Sequence, residues 1–336
     1  MKAIFLANNK GNIDYVYSRE AQEKLKGLID IDLDNVYCQE DLESEPEKFK
    51  DVEYIFSTWS MPGGEEDKDD FARFFPNAKA LFYAAGSVKY FARHYLEKGI
   101  KVFSAYAANA VPVAEFTAAQ IILANKGYFQ SLRMLRRGEF EKAHEYSVAH
   151  RGNYNAKIGI VGAGMIGKNV ISMLKQYKLK IYVHDEFLTK EAIEALGAEK
   201  ATLEEIFENC DIVSNHMANV PATVGMFKEK HFRLMKENSV FINTGRGAQV
   251  DEEAMLRVLK ERTDVTALLD VTIEEPPRSD SDFYKLDNVF LTPHIAGSQS
   301  QEVERMSDYI IEQFENLLSG KPTKYEITLE KLKTMA

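Results

Sequence analysis

Short apolar runs alternate along the chain with longer stretches in which apolar residues recur every three or four positions. Runs of the first kind are too short for helices and are rich in β-branched and aromatic residues, so they predict strands; the second kind predicts helices that cover them. In the first third the predicted strands are 3–6, 35–37, 54–57, 80–83 and 101–105, with helices over 20–29, 68–75 and 90–98. Such alternation implies βαβ units and a mostly parallel sheet.

At Asn109 the pattern changes. Residues 109–140, NAVPVAEFTAAQIILANKGYFQSLRMLRRGEF, predict one long helix with Pro112 near its first turn, where a missing N–H costs little. A polar, glycine-containing stretch at 150–155 closes it, and alternation resumes with strands over 158–161, 180–184, 211–214, 239–243, 267–270 and 289–291. After His294, the residues Val303, Met306, Ile310, Phe314 and Leu317 form one stripe of a final helix.

The most informative stretch is 157–185, KIGIVGAGMIGKNVISMLKQYKLKIYVHD. Gly162, Gly164 and Gly167 form G-x-G-x-x-G between a strand and a helix. The first glycine permits the tight turn, the second lets a pyrophosphate approach the backbone, and the third lets helix and strand lie close. A helix N-terminus presents free N–H groups and a dipole to the phosphates. Asp185 ends the next strand, where an acid can bond a ribose diol and repel a 2′-phosphate; this favours NAD over NADP.

A dinucleotide motif so far along the chain leaves the N-terminal block as a separate domain. The expected fold is α/β, with two Rossmann-like or flavodoxin-like parallel-sheet domains and a cleft between them. The boundaries read as 1–107 plus 299–336 for a substrate-binding domain and 108–298 for an NAD-binding domain. The final helix returns to the first domain.

Composition narrows the function classes. With 45% hydrophobic and 28% charged residues, the chain has the make-up of a globular protein rather than a disordered, collagen-like or membrane one. A formal charge of -10 offers no basic field for nucleic acid or anionic lipid, so an anionic substrate must be drawn by local positive groups. Cys38 and Cys210 are in no C-x-x-C arrangement, which supports neither a disulfide framework nor a zinc site, and no metal is expected. The N-terminal apolar run is too short for a signal peptide, and the expected location is cytoplasmic.

Three later segments place polar groups at predicted strand ends, the edge at which open α/β sheets bind ligands. FINTGRG supplies Arg246, LLDVTIEEPP supplies Asp270 and Glu275, and FLTPHIAG supplies His294. Reduction of a 2-keto acid needs a hydride, a proton for the developing alkoxide and an anchor for the carboxylate. Histidine suits the proton step, a neighbouring carboxylate can orient it and favour the imidazolium, and the planar arginine fork suits the anchor. Each residue alone also has an ordinary reading, as a surface cation, a loop acid and a structural histidine.

Together with NAVPVAEF at 109–116, GAGMIG with Asp185 and INTGRGAQVDE at 242–252, these segments resemble the D-isomer-specific 2-hydroxyacid dehydrogenase family. The resemblance covers the chain from Ala105 onward and, weakly, the N-terminal block. It implies that Arg246 anchors the substrate, Glu275 partners His294, and His294 is the acid/base. It also implies that Asp270 bonds the nicotinamide carboxamide, that Thr244 and Gly245 line the nicotinamide, and that Met165 and Ile166 offer N–H groups to the pyrophosphate. His216, in SNHMANVPAT, resembles the segment beside the adenosine, with a buried structural role left open.

The N-terminal block departs from the family pattern, since Val88 in YAAGSVKYF stands where an acid is usual. The amides of Ala85, Gly86 and Ser87 could still bind a carboxylate, and Trp59 and Tyr106 could wall the substrate, although a core role suits both aromatics better. Gly245 stands where alanine is commoner. The implied activity is NAD-dependent interconversion of a small D-2-hydroxy acid and its 2-keto acid, in a homodimer, with no nucleic acid or membrane partner. An NAD(H)-sensing, corepressor-like binding protein on the same scaffold is the alternative.

Overall fold

A computed structural model of the chain describes residues 2–63 and 69–333. Its strands are β1 (Lys2–Leu6), β2 (Asp30–Tyr37), β3 (Tyr54–Ser57), β4 (Ala80–Tyr83), β5 (Lys101–Ser104), β6 (Tyr154–Val161), β7 (Lys178–His184), β8 (Glu199–Lys200), β9 (Ile212–Asn215), β10 (Val240–Asn243), β11 (Thr266–Leu269), β12 (Val289–Leu291) and β13 (Glu326–Ile327). They form a six-stranded sheet, β13-β5-β4-β3-β1-β2, and a seven-stranded sheet, β12-β11-β10-β9-β6-β7-β8. Apart from the antiparallel β13–β5 pair, the ladders are parallel. The first sheet belongs to a unit made of the residues up to Asn109 and those from Ser298 onward; the second belongs to Ala110–Gly297.

These divisions fall at 109/110 and 297/298, against the 107/108 and 298/299 read from the sequence, for a local reason. The helix Tyr106–Ala124 packs Ala108 into the core of the first unit before it crosses, and Asn109 Oδ1 accepts the Ser298 N–H at 2.9 Å.

In the first unit, alternate residues of each strand point to opposite faces, as the period of a strand requires. Phe5, Phe56, Phe82 and Phe103 form one face; Leu6, Ile55, Leu81 and Val102 form the other. The helix Glu304–Leu318 lies on the aromatic face and buries the expected stripe of Val303, Met306, Ile310 and Phe314, with Leu317 partly covered. Phe314 meets the rings of Tyr54, Phe56 and Phe82 edge-on at centroid distances of 5.2, 5.1 and 5.3 Å, a geometry that the ring quadrupoles favour.

Three expectations are corrected here. The predicted helix over 68–75 is, in its described part, only a 3-10 turn at Phe71–Phe74, because Pro76 pushes Phe75 out of the helical region (φ -121°, ψ 63°); Lys68 lies outside the described residues. The strand predicted at 35–37 starts at Asp30, and its burial pattern hides Ile31 while exposing Asp30 and Asp32. Acidic residues along this edge strand discourage pairing with another sheet. The single long helix over 109–140 is three: Tyr106–Ala124, Tyr128–Arg136 and Phe140–Ala149. Gly127 and Gly138 separate them with φ of 62° and 77°, and Pro112 sits inside the first rather than in its first turn. That first helix is long and apolar enough to cross a membrane by length and composition, but 61% of its most apolar 18-residue window is buried inside the fold.

In the second unit β6 lies between β9 and β7. The strand order reverses there, and the crevice beyond its carboxyl end is where such sheets bind ligands.

Removing the Phe314 ring should open a cavity against three aromatic partners. Phe314→Ala is expected to cost roughly 3–5 kcal/mol in chemical denaturation of the first unit; a loss below about 1 kcal/mol would show that the helix does not depend on this seat.

Candidate active site

The glycine turn joins β6 to the helix Met165–Leu174, whose N-cap Gly164 supplies no side chain to its N–H groups. Gly162 has φ 90°, and a Cβ there would lie 2.8 Å from the backbone of His216 and Met217. A Cβ on Gly167 would lie 2.2 Å from the Gly162 carbonyl oxygen, whereas one on Gly164 would meet nothing within 4 Å. The first and third glycines are thus required by packing, and the second faces open space at a helix N-terminus. That is the cradle a pyrophosphate needs, with the Met165 and Ile166 amides at its edge.

Asp185 at the end of β7 is almost buried. Its Oδ2 accepts the Ala163 N–H at 2.8 Å, and its Oδ1 accepts those of Phe187 and Leu188 at 2.9 and 3.0 Å. The acid therefore holds the glycine turn as well as facing the ligand edge. Each carboxylate oxygen has two lone pairs, so acceptor capacity remains on Oδ2 for a ribose hydroxyl.

Asp270 follows β11 and is 2% exposed. Its Oδ1 accepts the Thr292 hydroxyl at 2.5 Å and the Ile295 N–H at 2.9 Å, and its Oδ2 accepts the Ala296 N–H at 2.9 Å. Its backbone carbonyl receives the His294 N–H at 3.1 Å. These bonds wrap the loop after β12 around one carboxylate and hold His294 at φ 54°, a conformation that side chains other than glycine seldom adopt.

So placed, His294 turns Nδ1 toward Glu275 Oε2 at 2.7 Å, with both side chains partly open to solvent. Nδ1–H donates this bond and the carboxylate accepts it, which leaves Nε2 as the nitrogen available to a ligand. Glu275 is itself held through Oε1 by the Thr272 N–H at 3.3 Å, while Thr272 Oγ1 donates to the Glu274 carbonyl at 2.6 Å.

Arg246 leads into a short turn, Gly247–Gln249. Its side chain is exposed and donates to the Gly245 carbonyl at 2.8 Å. Desolvation lowers its pKa and the charge of Glu275 opposes that shift, but a guanidinium remains protonated in either case. Thr244 is buried and shares a 3.1 Å hydroxyl contact with Thr117.

Trp59 is half-buried, stacks on Tyr15 at 6.2 Å and touches both cores of the first unit. Tyr106 is half-buried edge-on to Tyr325. Ala85 is buried, and the carbonyls of Ala85 and Gly86 both receive the Ser104 hydroxyl, at 3.0 and 2.6 Å; Ser87 follows them, half-buried.

The sequence reading missed Glu252, which accepts the Ile273 N–H at 2.7 Å and so ties the loop that carries Glu275 to the helix Glu252–Glu261. Burial, followed by the charges of Glu274 and Glu275, pushes its carboxyl up to about 7 against that hydrogen bond. One acid in the run Asp251–Glu253 at a helix start carries no sequence signal for this.

His216 is buried, with Nε2 2.9 Å from Ser214 Oγ and Nδ1 without a partner among the described residues. Burial pushes its pKa down to about 3. Because the folded value lies below the unfolded one of about 6.5, His216 contributes stability above that value, and the contribution is lost as pH falls toward 3. His216→Gln should therefore lower the proton uptake on unfolding by about one between pH 6.5 and 3 relative to the parent chain. Identical uptake in the two proteins would mean that the imidazole is solvated in the fold.

The chain is similar to known proteins in sequence and in fold. Residues 118–296 match the family described as "D-isomer specific 2-hydroxyacid dehydrogenase, NAD binding domain". The chain is 31% identical over 240 residues to a glyoxylate reductase of Korarchaeum cryptofilum, covering 71% of each protein. It is 32% identical over 227 residues to a D-3-phosphoglycerate dehydrogenase of Methanocaldococcus jannaschii, covering 67% of this chain and 42% of that one. The corresponding enzyme of Archaeoglobus fulgidus is covered over 44% of its length, so the chain spans less than half of these two relatives. The fold is that of the apo D-mandelate dehydrogenase of Rhodotorula graminis, with a TM-score of 0.81 at 21% identity and 97% of each chain covered. With a family match from Ala118 to Ala296 that takes in the glycine turn, Arg246, Glu275 and His294, the chain belongs to the D-isomer-specific 2-hydroxyacid dehydrogenase family.

Proposed function

We propose that the chain is an NAD-dependent oxidoreductase that interconverts a small D-2-hydroxy acid and its 2-keto acid. The observation that carries this reading is the 2.7 Å pair of His294 Nδ1 and Glu275 Oε2, which leaves Nε2 free on the same ligand edge as Arg246. When bound, the nicotinamide supplies or accepts the hydride. In the direction of reduction, His294 delivers a proton from Nε2 to the developing alkoxide, and Glu275 fixes the ring and stabilises its protonated form. Arg246 pairs with the substrate carboxylate and polarises the carbonyl as charge builds on it. Gly162, Gly164, Met165, Ile166 and Gly167 would hold the pyrophosphate, and Asp185 would take the ribose diol and disfavour a 2′-phosphate. The cofactor roles of His216, Thr244, Gly245 and Asp270, and the substrate roles of Ala85, Gly86, Ser87, Trp59 and Tyr106, rest on family resemblance.

A second copy of the chain is the proposed partner. Leu123, Leu132, Leu135, Phe140 and Val148, on the three helices between Tyr106 and Ala149, are 40%, 41%, 46%, 64% and 65% exposed. Apolar side chains grouped in this way suit an interface. Unpaired Cys38 and Cys210 accord with the cytoplasm, the location we propose.

NADH should be oxidised, in preference to NADPH, with at least one of glyoxylate, hydroxypyruvate, its 3-phosphate, pyruvate or a branched 2-keto acid. His294→Ala should lower kcat by roughly two to four powers of ten with NADH binding retained, and Arg246→Ala should raise KM as well as lower kcat. No turnover across the panel with NADH still bound would replace catalysis by NAD(H) sensing. Light scattering should give twice the 38.2 kDa chain mass, and Phe140→Glu with Val148→Glu should shift it toward the monomer; a parent protein of single chain mass at micromolar concentration would dismiss the dimer.

A further inference from the structure

The ends of β9 and β10 carry two asparagines, Asn215 and Asn243, and the turn after Arg246 carries Gln249; they are 0%, 1% and 0% exposed. Three uncharged amides buried together are costly unless their hydrogen bonds are made. Here they are made in one order only. Gln249 Nε2 donates to the carbonyls of Met217 and Ala218 at 2.9 and 3.1 Å. Two carbonyls admit no flip of that amide, so Gln249 Oε1 must be the acceptor of the Arg246 N–H at 3.2 Å and of Asn215 Nδ2 at 2.6 Å. Asn215 therefore presents its other proton to Asn243 Oδ1 at 2.9 Å and its Oδ1 to the Met217 N–H at 3.1 Å. Asn243 Oδ1 also accepts the Gly245 N–H at 3.0 Å, and its Nδ2 donates to the Arg246 carbonyl at 3.2 Å.

Both backbone polar groups of Arg246 thus end on this network, and its far side holds Met217, which packs on Gly162 of the phosphate turn. Glycine at 245 gives the network its room, since a Cβ there would lie 2.8 Å from Asn215 Nδ2 and 2.9 Å from Gln249 Oε1 and would push these amides aside. We propose that Asn215 and Gln249 are positioning residues of this chain, which fix the backbone of Arg246 relative to the cofactor turn and so set the direction of its guanidinium toward the substrate carboxylate. This rests on the reading of Arg246 as the anchor. The network itself touches no substrate.

The test is a double-mutant cycle. Gln249→Met removes the polar links while keeping side-chain length, and kcat/KM for the best keto acid should fall at least about tenfold, mostly through KM, with NADH affinity within about threefold. In an Arg246→Ala background the same change should move kcat/KM by less than about twofold, because the group it positions is gone. Equal losses in both backgrounds, or no loss in the parent, would overturn the proposal. Gly245→Ala, which keeps every partner but crowds the network, should give the same pattern and serves if Gln249→Met does not fold; a Gly245→Ala enzyme with parental KM would equally overturn it. Hydrogen exchange separates the two readings. If the parent turns over no keto acid, the anchor reading fails, whereas the network is still judged by the Gly245 and Arg246 amides, which should exchange at least about tenfold faster in Gln249→Met and would disprove it by staying protected.

Discussion

Main-chain N–H groups that leave the carboxyl ends of parallel strands lose their ladder partners yet remain partly buried, and they must be satisfied elsewhere. The second unit meets this constraint with side chains at its strand ends. Asp185 takes N–H groups from Ala163, Phe187 and Leu188; Asp270 takes those of Ile295 and Ala296 together with the Thr292 hydroxyl. Asn215, Asn243 and Gln249 do the same for Met217, Gly245 and Arg246. The backbone of the glycine turn, of Arg246 and of the loop around His294 is therefore held by buried acceptors on rigid strand ends or on a turn tied to one.

The consequence for chemistry is preorganisation. His294 occupies a left-handed backbone conformation that a histidine would leave if the loop were free, and the Asp270 bonds to its neighbours hold it there. From that position its Nδ1 reaches Glu275, so Nε2 is the nitrogen left for a ligand. Glu275 in turn depends on a loop tied by Thr272 to itself and by Glu252 to the preceding helix Glu252–Glu261. His294, Glu275 and Arg246 are thus held by bonds that involve no ligand, which is the preorganisation that the proposed chemistry asks of them.

The first unit follows a different economy. Its sheet is held by aromatic packing on one face and aliphatic packing on the other, and the helix that completes the aromatic face comes from the far end of the sequence. Its strand-end loop at Ala84–Ser87 is tied through carbonyls to Ser104 rather than through a buried carboxylate, as Val88 is itself wholly buried where the family usually has an acid. An apolar side chain at 88 is therefore accommodated by packing, and the loop is held by a neighbouring strand.

Much of this was legible in the residues alone. Alternating apolar runs located most of the strands, the stripe from Val303 to Phe314 located the long helix that returns to the first unit, and the glycine turn with Asp185 pointed to a dinucleotide fold. Those signals are local: they depend on spacing along one element or on a short turn. The three-way break of the segment after Asn109, the strand at Asp30–Tyr37 and the added strand β13 were decided by tertiary packing, because glycine tolerance, edge position and antiparallel return have no short-range period. The same holds within the site. That Asp185 and Asp270 hold loops as well as edges, that Glu252 braces Glu275, and that Gly245 makes room for an amide network all depend on residues brought together from separate strands. The sequence by itself determined which groups could react; only the tertiary structure decided what holds them, because a buried hydrogen bond is specified by both of its ends.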